Sequence, residues 1–283
     1  MRLLIIGNND GPLRLVRAVT DGPHRVVAVG LQRYDERLAT DLAGYGVSAS
    51  ATPDEASATA LAAGSDFDLL VNCFANFRYR RLHHHYPTVN VHLAPLPHYR
   101  GRHPLQWALI NGEPRFGVTL HRLTDAFDDG AILWQGAVDI VPGWSALELR
   151  EALLDRFTGA LPDLLSALEA DQLPELPNED GQATYVTRRS PADSLLHDWA
   201  DRDRVWRKVR ALRHDAHPAR LRTPTGEWAL HDAHRGERRF VGFRAGHVVG
   251  RRADAREIVC ADGHTVWLYG AFGAALPINA AVL

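Results

Sequence analysis

Residues 2–20, RLLIIGNNDGPLRLVRAVT, set an apolar run that ends at Gly7 in front of a segment from Pro12 to Thr20 with leucines and valines at helical spacing. A short continuous apolar run predicts a strand covered on both faces, and the segment after it predicts the helix that packs back over the sheet. The pattern recurs. RVVAVGL near residues 25–31 and DLLVNCF at 68–74 are two more such runs, with an Ala-rich, helix-compatible stretch between them. Strands alternating with helices predict right-handed crossovers and an α/β fold built on a mainly parallel, Rossmann-like sheet. TVNVHLA, FGVTLHRL and AILWQGAVDI add three further strand-like segments. In SALELREALLDRFTGALPDLLSALEA, Ser145 and Glu148 form a capping box, and Leu149, Leu153, Phe157, Leu161, Leu164 and Leu168 fall on one helical face. A long helix is expected there, kinked at Pro162.

Prolines and acidic residues over 171–182 predict an irregular connector, which sets a first domain at 1–182 and a second at 183–283. In the second, a short amphipathic helix near 202–213 precedes ARLRTPTGEWALHDA, RFVGFRAGHVVGRR and REIVCADGHTVWLYGA. Each has alternating apolar positions around a Gly-containing turn, so each predicts a hairpin, and together they predict a small β-rich, OB-like barrel.

The chain has 283 residues, and 32 basic side chains nearly balance 34 acidic ones. No large uniform field is available to hold a nucleic-acid backbone or an anionic membrane, so neither is expected as a partner. The start, MRLLIIGNND, lacks the apolar length of a signal peptide or membrane span, which predicts a cytoplasmic protein. Cys73 and Cys260 form neither a CxxC motif nor a disulfide framework and are expected to be buried thiols.

IIGNNDG stands where a dinucleotide-binding loop would sit, yet it lacks GxGxxG, and the chain has no P-loop and no GxSxG elbow. It is expected to be a plain strand-to-helix turn. The run HHH at 83–85 raises the question of a metal. Adjacent histidines point in different directions and no carboxylate stands beside them at a ligand spacing, so a solvated segment and no metal are expected.

The stretch NVHLAPLPHYRGRHP, residues 90–104, is more informative. Asn90 and His92 are two apart in a strand and share one face, at the sheet end where open α/β sheets bind ligands. Taken alone, the pair reads more readily as two residues hydrogen-bonded to neighbouring loops. DAFDDGAIL changes the balance, because Asp125, Asp128 and Asp129 lie on a loop before another strand and can bring a carboxylate to the same end. Amide, imidazole and carboxylate together fit acyl transfer.

Asn-x-His, then LPHYRG, then GVTLH, then Asp-x-Gly in DDG resembles the 10-formyltetrahydrofolate-dependent N-formyltransferase family. That group includes glycinamide ribonucleotide transformylase, methionyl-tRNA formyltransferase and the sugar N-formyltransferases. LPHYRGRHPLQWALINGEPRFGVTLHRLTDAFDDGAIL is especially similar to the domain that formylates UDP-4-amino-4-deoxy-arabinose, and TRRSPADSLLHDW followed by VRAL resembles the entrance to the family's C-terminal domain. The resemblance implies a catalytic Asn90, His92 and Asp128, the last chosen over Asp125 and Asp129 because it opens Asp-x-Gly. An amine would attack the formyl carbon, Asn90 and a protonated His92 would hold the oxyanion, and Asp128 would help remove the amine proton. The co-substrate, 10-formyltetrahydrofolate, is implied to lie against Phe74, Asn76, Phe77 and Arg78 and against Asp125, Ala126 and Phe127. Arg100 and Arg102 are available for acceptor phosphates or a carboxylate, and Trp107 for stacking or for the core.

The tRNA-specific members carry a basic glycine-rich insertion after the second strand, where this chain has QRYDERLATDLAGYG, so a small amine is the expected partner. A nucleotide-linked amino sugar fits the similarity best. N-hydroxyornithine or another siderophore or antibiotic intermediate is the main alternative, and a non-catalytic folate- or nucleic-acid-binding module is the reading from another class. Sugar formyltransferases are often dimers, which the resemblance extends to this chain.

Overall fold

The sheet that carries Asn90 and His92 is assembled outward from its first strand. In the computed structural model, which describes residues 1–224, 226–272 and 276–282, β1 (Arg2–Gly7) lies parallel to β2 (Arg25–Leu31) and to β4 (Leu69–Cys73). Leu3, Leu4, Ile5 and Ile6 are all buried, as a strand covered on both faces requires. Helices α1 (Gly11–Val19), α2 (Glu36–Ala43) and α3 (Glu55–Ala63) alternate with β2, β3 (Ser48–Ala51) and β4. Asp35 and Asp54 cap α2 and α3 by accepting the backbone N–H three residues on.

After β4 comes the short helix α4 (Leu82–His85), then β5 (Thr88–His92), parallel to β4. The two-residue strand β6 (Arg100–Gly101) and helix α5 (Pro104–Asn111) precede β7 (Arg115–Arg122), which runs antiparallel to β5, and β8 (Ile132–Asp139) closes the order β3-β2-β1-β4-β5-β7-β8. The strand order reverses between β1 and β4, a position where open α/β sheets bind ligands beyond their carboxyl ends.

Helix α6 (Ala146–Glu169) has the expected cap, with Ser145 N donating to Glu148 Oε2 at 2.8 Å, and it runs on through Pro162. Leu149, Leu153, Phe157 and Leu161 are buried along one face. Beyond the two-residue strand β9 (Tyr185–Val186) and helix α7 (Arg202–Ala211) lie β10 (Arg220–Thr223), β11 (Gly226–Arg239), β12 (His247–Arg251), β13 (Ala255–Val259) and β14 (His264–Gly270). They form an antiparallel sheet of order β10-β11-β14-β13-β12, an open ladder among the described residues.

Asp262-Gly263 makes the expected turn, with Gly263 at φ +79°. The turn expected around Thr225 includes a residue outside the described ones. One hairpin is corrected: β11 pairs with β14 and β12 with β13, so RFVGFRAGHVVGRR joins two strands that are not neighbours. The length of β11 lets its alternating residues find partners far along the chain, which local spacing does not reveal.

Two compact units result, one of Met1–Gly101, Phe116–Val138 and Glu151–Tyr185, the other of Arg102–Arg115, Asp139–Arg150 and Val186–Leu283. Among the described residues, no helix is long and apolar enough to cross a membrane.

One backbone contact in the first unit is a sharp test of this packing. A Cβ on Gly130 would stand 2.0 Å from the Arg122 carbonyl oxygen, so the loop after β7 can close only over glycine. Gly130→Ala is expected to cost roughly 2 kcal/mol or more and to lower Tm by about 4–8 °C. A scanning-calorimetry midpoint within a degree of the parent would contradict this close approach.

Candidate active site

The antiparallel pairing of β5 with β7 sets Asn90 opposite His121 and His92 opposite Thr119. Residues directly opposite on paired strands share a face, so the spacing that brings Asn90 beside His92 also brings in Thr119 and His121. Asn90 Nδ2 donates to His121 Nε2 at 2.9 Å, and Asn90 Oδ1 accepts from Asn72 Nδ2 at 2.7 Å. The chain continues to Tyr79, whose hydroxyl donates to Asn72 Oδ1 at 2.9 Å. Both amides are buried, so this network fixes which end of Asn90 is oxygen and which is nitrogen. One of the two N–H bonds on Asn90 Nδ2 is spent on His121. The other makes no hydrogen bond among the described residues.

The His121 tautomer follows from the same network. Its Nδ1 lies 2.8 Å from the Arg122 carbonyl oxygen and must carry the proton, which leaves Nε2 as the acceptor that Asn90 needs. Full burial pushes the His121 pKa down to about 4; the nearby Asp128 carboxylate opposes that shift and His92 adds to it. His121 is therefore neutral near pH 7. Sequence reasoning gave it no role, although it stood inside the quoted GVTLH, two residues past Thr119 on the same strand face.

His92 Nε2 donates to the Tyr99 carbonyl oxygen at 3.1 Å, and Nδ1 faces Asp128 Oδ1 at 3.5 Å. That is too long for a short hydrogen bond, so this edge of the ring keeps capacity for another partner. Asp128 also stands 3.8 Å from His121 Nε2, and its Oδ2 accepts the Gly101 N–H at 2.9 Å. Asp128 adopts the left-handed region at φ +56°, and Asn178 Nδ2 donates to its carbonyl oxygen at 2.9 Å and to Gly130 O at 3.0 Å. Thus Asp128, rather than Asp125 or Asp129, joins Asn90 and His92. Asp129 instead accepts from the Thr124 hydroxyl.

The turn after His92 is held by the GVTLH strand. Thr119 Oγ1 donates to Ala94 O at 2.7 Å and accepts from Leu96 N at 3.2 Å, and Gln135 Nε2 donates to Leu96 O at 2.6 Å. A Cβ on Gly117 would lie 2.9 Å from the Pro95 side chain, so glycine there permits the turn to lie against the strand.

The two segments expected to face folate come together. Arg78 Nη2 donates to the Asp125 carbonyl at 3.0 Å, and its guanidinium lies 5.7 Å from the centre of the Phe127 ring. Asn76 N donates to Gln32 Oε1, Phe77 packs on Tyr79, Ala126 O accepts from Thr124, and Phe74 sits at φ +73° beside Gly11. Phe127 is 57% exposed, an apolar surface available to a flat ligand.

Arg100 is a correction. It is buried, ion-paired to Asp180 at 2.6 Å and bonded to Asn178 Oδ1 at 2.8 Å, so its guanidinium braces Asn178 and is not presented to an acceptor anion. Arg102 and Trp107 belong to the second unit, where Trp107 Nε1 donates to Thr187 O at 2.9 Å. In the HHH segment His84 and His85 are exposed as expected, and His83 is the correction. His83 is 7% exposed at its side chain, and His83 and His84 both reach Asp125, a carboxylate supplied by folding from some 40 residues away.

A cleft of about 390 Å³ opens where β1 and β2 end, lined by Asn8, Asn9, Asp10, Arg33, Tyr34 and Arg37 among others. Sequence reasoning assigned nothing there.

Residues 4–165 match the family model described as Formyl transferase. HypX from Aquifex aeolicus is 23% identical over 95% of this chain, with a TM-score of 0.67, and the chain spans 43% of HypX. Another HypX structure, 21% identical at TM-score 0.66, holds tetrahydrofolic acid. An N-formyltransferase from Helicobacter canadensis, in complex with folinic acid and dTDP-3-aminofucose, is 15% identical with a TM-score of 0.75, matching 95% of this chain and 98% of its own. These likenesses establish the fold.

The neutral state of His121 sets a pH dependence. The unfolded chain binds a proton on this histidine below about 6.5, while the native state does so only below about 4. Between those limits the unfolded state holds more protons, so this group makes stability rise with pH across the window. NMR titration should show His121 ring signals of the neutral form down to pH 5. A midpoint above 6 would contradict the assignment of Nε2 as acceptor.

Proposed function

The chain belongs to the formyl transferase family, and from that premise we propose that it moves the formyl group of 10-formyltetrahydrofolate to the amine of a nucleotide-linked amino sugar. The observation that carries the reaction is the cluster of Asn90, His92 and Asp128 at the carboxyl end of β5. Attack by a neutral amine on the formyl carbon builds negative charge on the formyl oxygen. The unspent N–H of Asn90 supplies a donor for that charge, with the His92 ring beside it, and the network through Asn72 and His121 holds Asn90 in place beforehand.

Asp128 takes up the amine proton as the tetrahedral centre forms, directly or through a water. Collapse of that centre breaks the bond to the folate nitrogen, and the same carboxyl group can return the proton to it. The folate has a surface suited to it in the exposed Phe127 ring and the backbone of 74–78 and 125–127, tied together by Arg78. On this reading 1–182 is the formyltransferase domain and 183–283 an accessory domain.

For the acceptor, support comes from the cleft at the ends of β1 and β2. Arg33 and Arg37 suit a diphosphate, and Tyr34, 53% exposed, suits a base or sugar face. β1 and β4 stand between β2 and β5, so those strand ends lie roughly 14 Å apart, a span that a nucleotide-linked sugar bridges.

The test is release of tetrahydrofolate from 10-formyltetrahydrofolate with a panel of UDP- and dTDP-amino sugars, N-hydroxyornithine and methionyl-tRNA. Turnover with one nucleotide sugar is expected. Asn90→Ala or His92→Ala should lower kcat about a hundredfold or more. Turnover with hydroxyornithine alone would keep the reaction and overturn the sugar.

A further inference from the structure

The family reading gives no work to His83 and His84. Helix α4, which carries them, is fixed at its start by Glu55, whose Oε1 accepts the N–H groups of Arg80 at 2.6 Å, Arg81 at 2.6 Å and Leu82 at 3.0 Å. The two imidazole rings lie side by side, with centroids 4.1 Å apart. Both direct Nε2 at one oxygen, Asp125 Oδ1, at 3.3 Å from His83 and 3.2 Å from His84.

The His83 ring is the telling member. Its side chain is 7% exposed, and neither ring nitrogen has a hydrogen-bond partner, since the approach of Nε2 to Asp125 lacks hydrogen-bond geometry. A buried imidazole normally finds a partner, and leaving one unsatisfied costs about 1–3 kcal/mol. A cation placed between the three atoms would give Nε2 a partner. Bonds of about 2.0–2.1 Å at tetrahedral angles set neighbouring ligand atoms roughly 3.3–3.4 Å apart, which matches the two separations from Asp125 Oδ1. One ligand atom from each of the three residues lies within 4.8 Å of the others.

We propose that His83, His84 and Asp125 form a site for a divalent transition metal, Zn²⁺ above all. Two imidazole nitrogens and one carboxylate oxygen select Zn²⁺ and its neighbours over Mg²⁺ and Ca²⁺, which prefer all-oxygen shells. Three protein ligands leave a fourth position for water or an anion. The bound ion would cross-link α4 to the loop that continues through Phe127 to Asp128, so its role is to order the loop that presents the carboxylate of the active site. Zinc binding does not depend on the acceptor or on the catalytic roles proposed above, and it is measured without turnover.

The experiment uses an untagged chain stripped with EDTA and titrated with Zn²⁺ against a chromophoric chelator, then with Co²⁺ followed by its visible absorption. One equivalent of Zn²⁺ and the bands of tetrahedral Co²⁺ are expected. His84→Ala should weaken binding at least about a hundredfold, since losing only an outer partner of a metal ligand costs roughly 10–100-fold. The His84 ring is 54% exposed, so this variant should melt like the parent in EDTA. His83→Gln should lose the site too. Absence of saturable one-to-one binding, or parental affinity in both variants, overturns the site. Hydrogen exchange over 123–129 should slow with Zn²⁺ in the parent and not in His84→Ala. Binding without that protection would sink the ordering role.

Discussion

The hydrogen bond from Asn90 Nδ2 to His121 Nε2 depends on β7 running antiparallel to β5, and most of the site follows from that reversal. A parallel strand would offset the pairing and leave two buried polar groups seeking partners, at about 1–3 kcal/mol each. With the reversal in place, one strand face does three tasks at alternate positions. Gly117 lets Pro95 lie against the strand, Thr119 holds both sides of the following turn, and His121 sets the amide of Asn90. The period of two in GVTLH is thus a plan of support, with each inward residue holding a different part of the chain that leaves His92.

The third group is brought in by different means. Asp128 sits on no strand, and its position rests on three local constraints in the same unit. Gly130 permits a backbone approach to Arg122 that no other residue allows, Asn178 binds the carbonyls of Asp128 and Gly130, and Gly101 donates to the carboxylate itself. Arg100 then earns its burial by bracing Asn178. The left-handed conformation at Asp128 carries a backbone cost that this surrounding set must hold in place. Two groups ride on a paired ladder and one is assembled from loops, and in the proposed reaction the loop-borne group is the one that exchanges a proton.

The parts legible in the sequence were those governed by short-range periodicity. Buried strand runs, the Ser145 cap and the alternation that put Asn90 beside His92 all follow from spacing. What spacing could not show was partnership across the sheet. His121 was visible as a residue, yet its place opposite Asn90 depends on the direction of β7. Asn72 and Tyr79 joined the network from β4 and the segment after it. Arg100 reads as available to an acceptor anion because its partners, Asn178 and Asp180, lie about 80 residues away. His83 reads as solvated for the same reason, since its carboxylate comes from the loop at Asp125. In each case a charged or polar side chain finds its complement on an element distant in sequence.

This division also explains why family membership fixes the reaction more firmly than the acceptor. Of the groups proposed to meet the formyl carbon, Asn90 and His92 are buried on a paired strand and Asp128 is half-buried in a tight loop, where a change disturbs several partners at once. The groups that line the cleft, Arg33, Tyr34 and Arg37, come from the turn after β2 and the helix that follows, where substitution leaves the ladder untouched. On the proposed reading, one acceptor can be exchanged for another by altering the end of β2 while Asn90, His92 and Asp128 keep their geometry. The distance between the two regions, two strands wide, is then the constraint on the proposed acceptor, because its anionic part and its amine have to reach both at the same time.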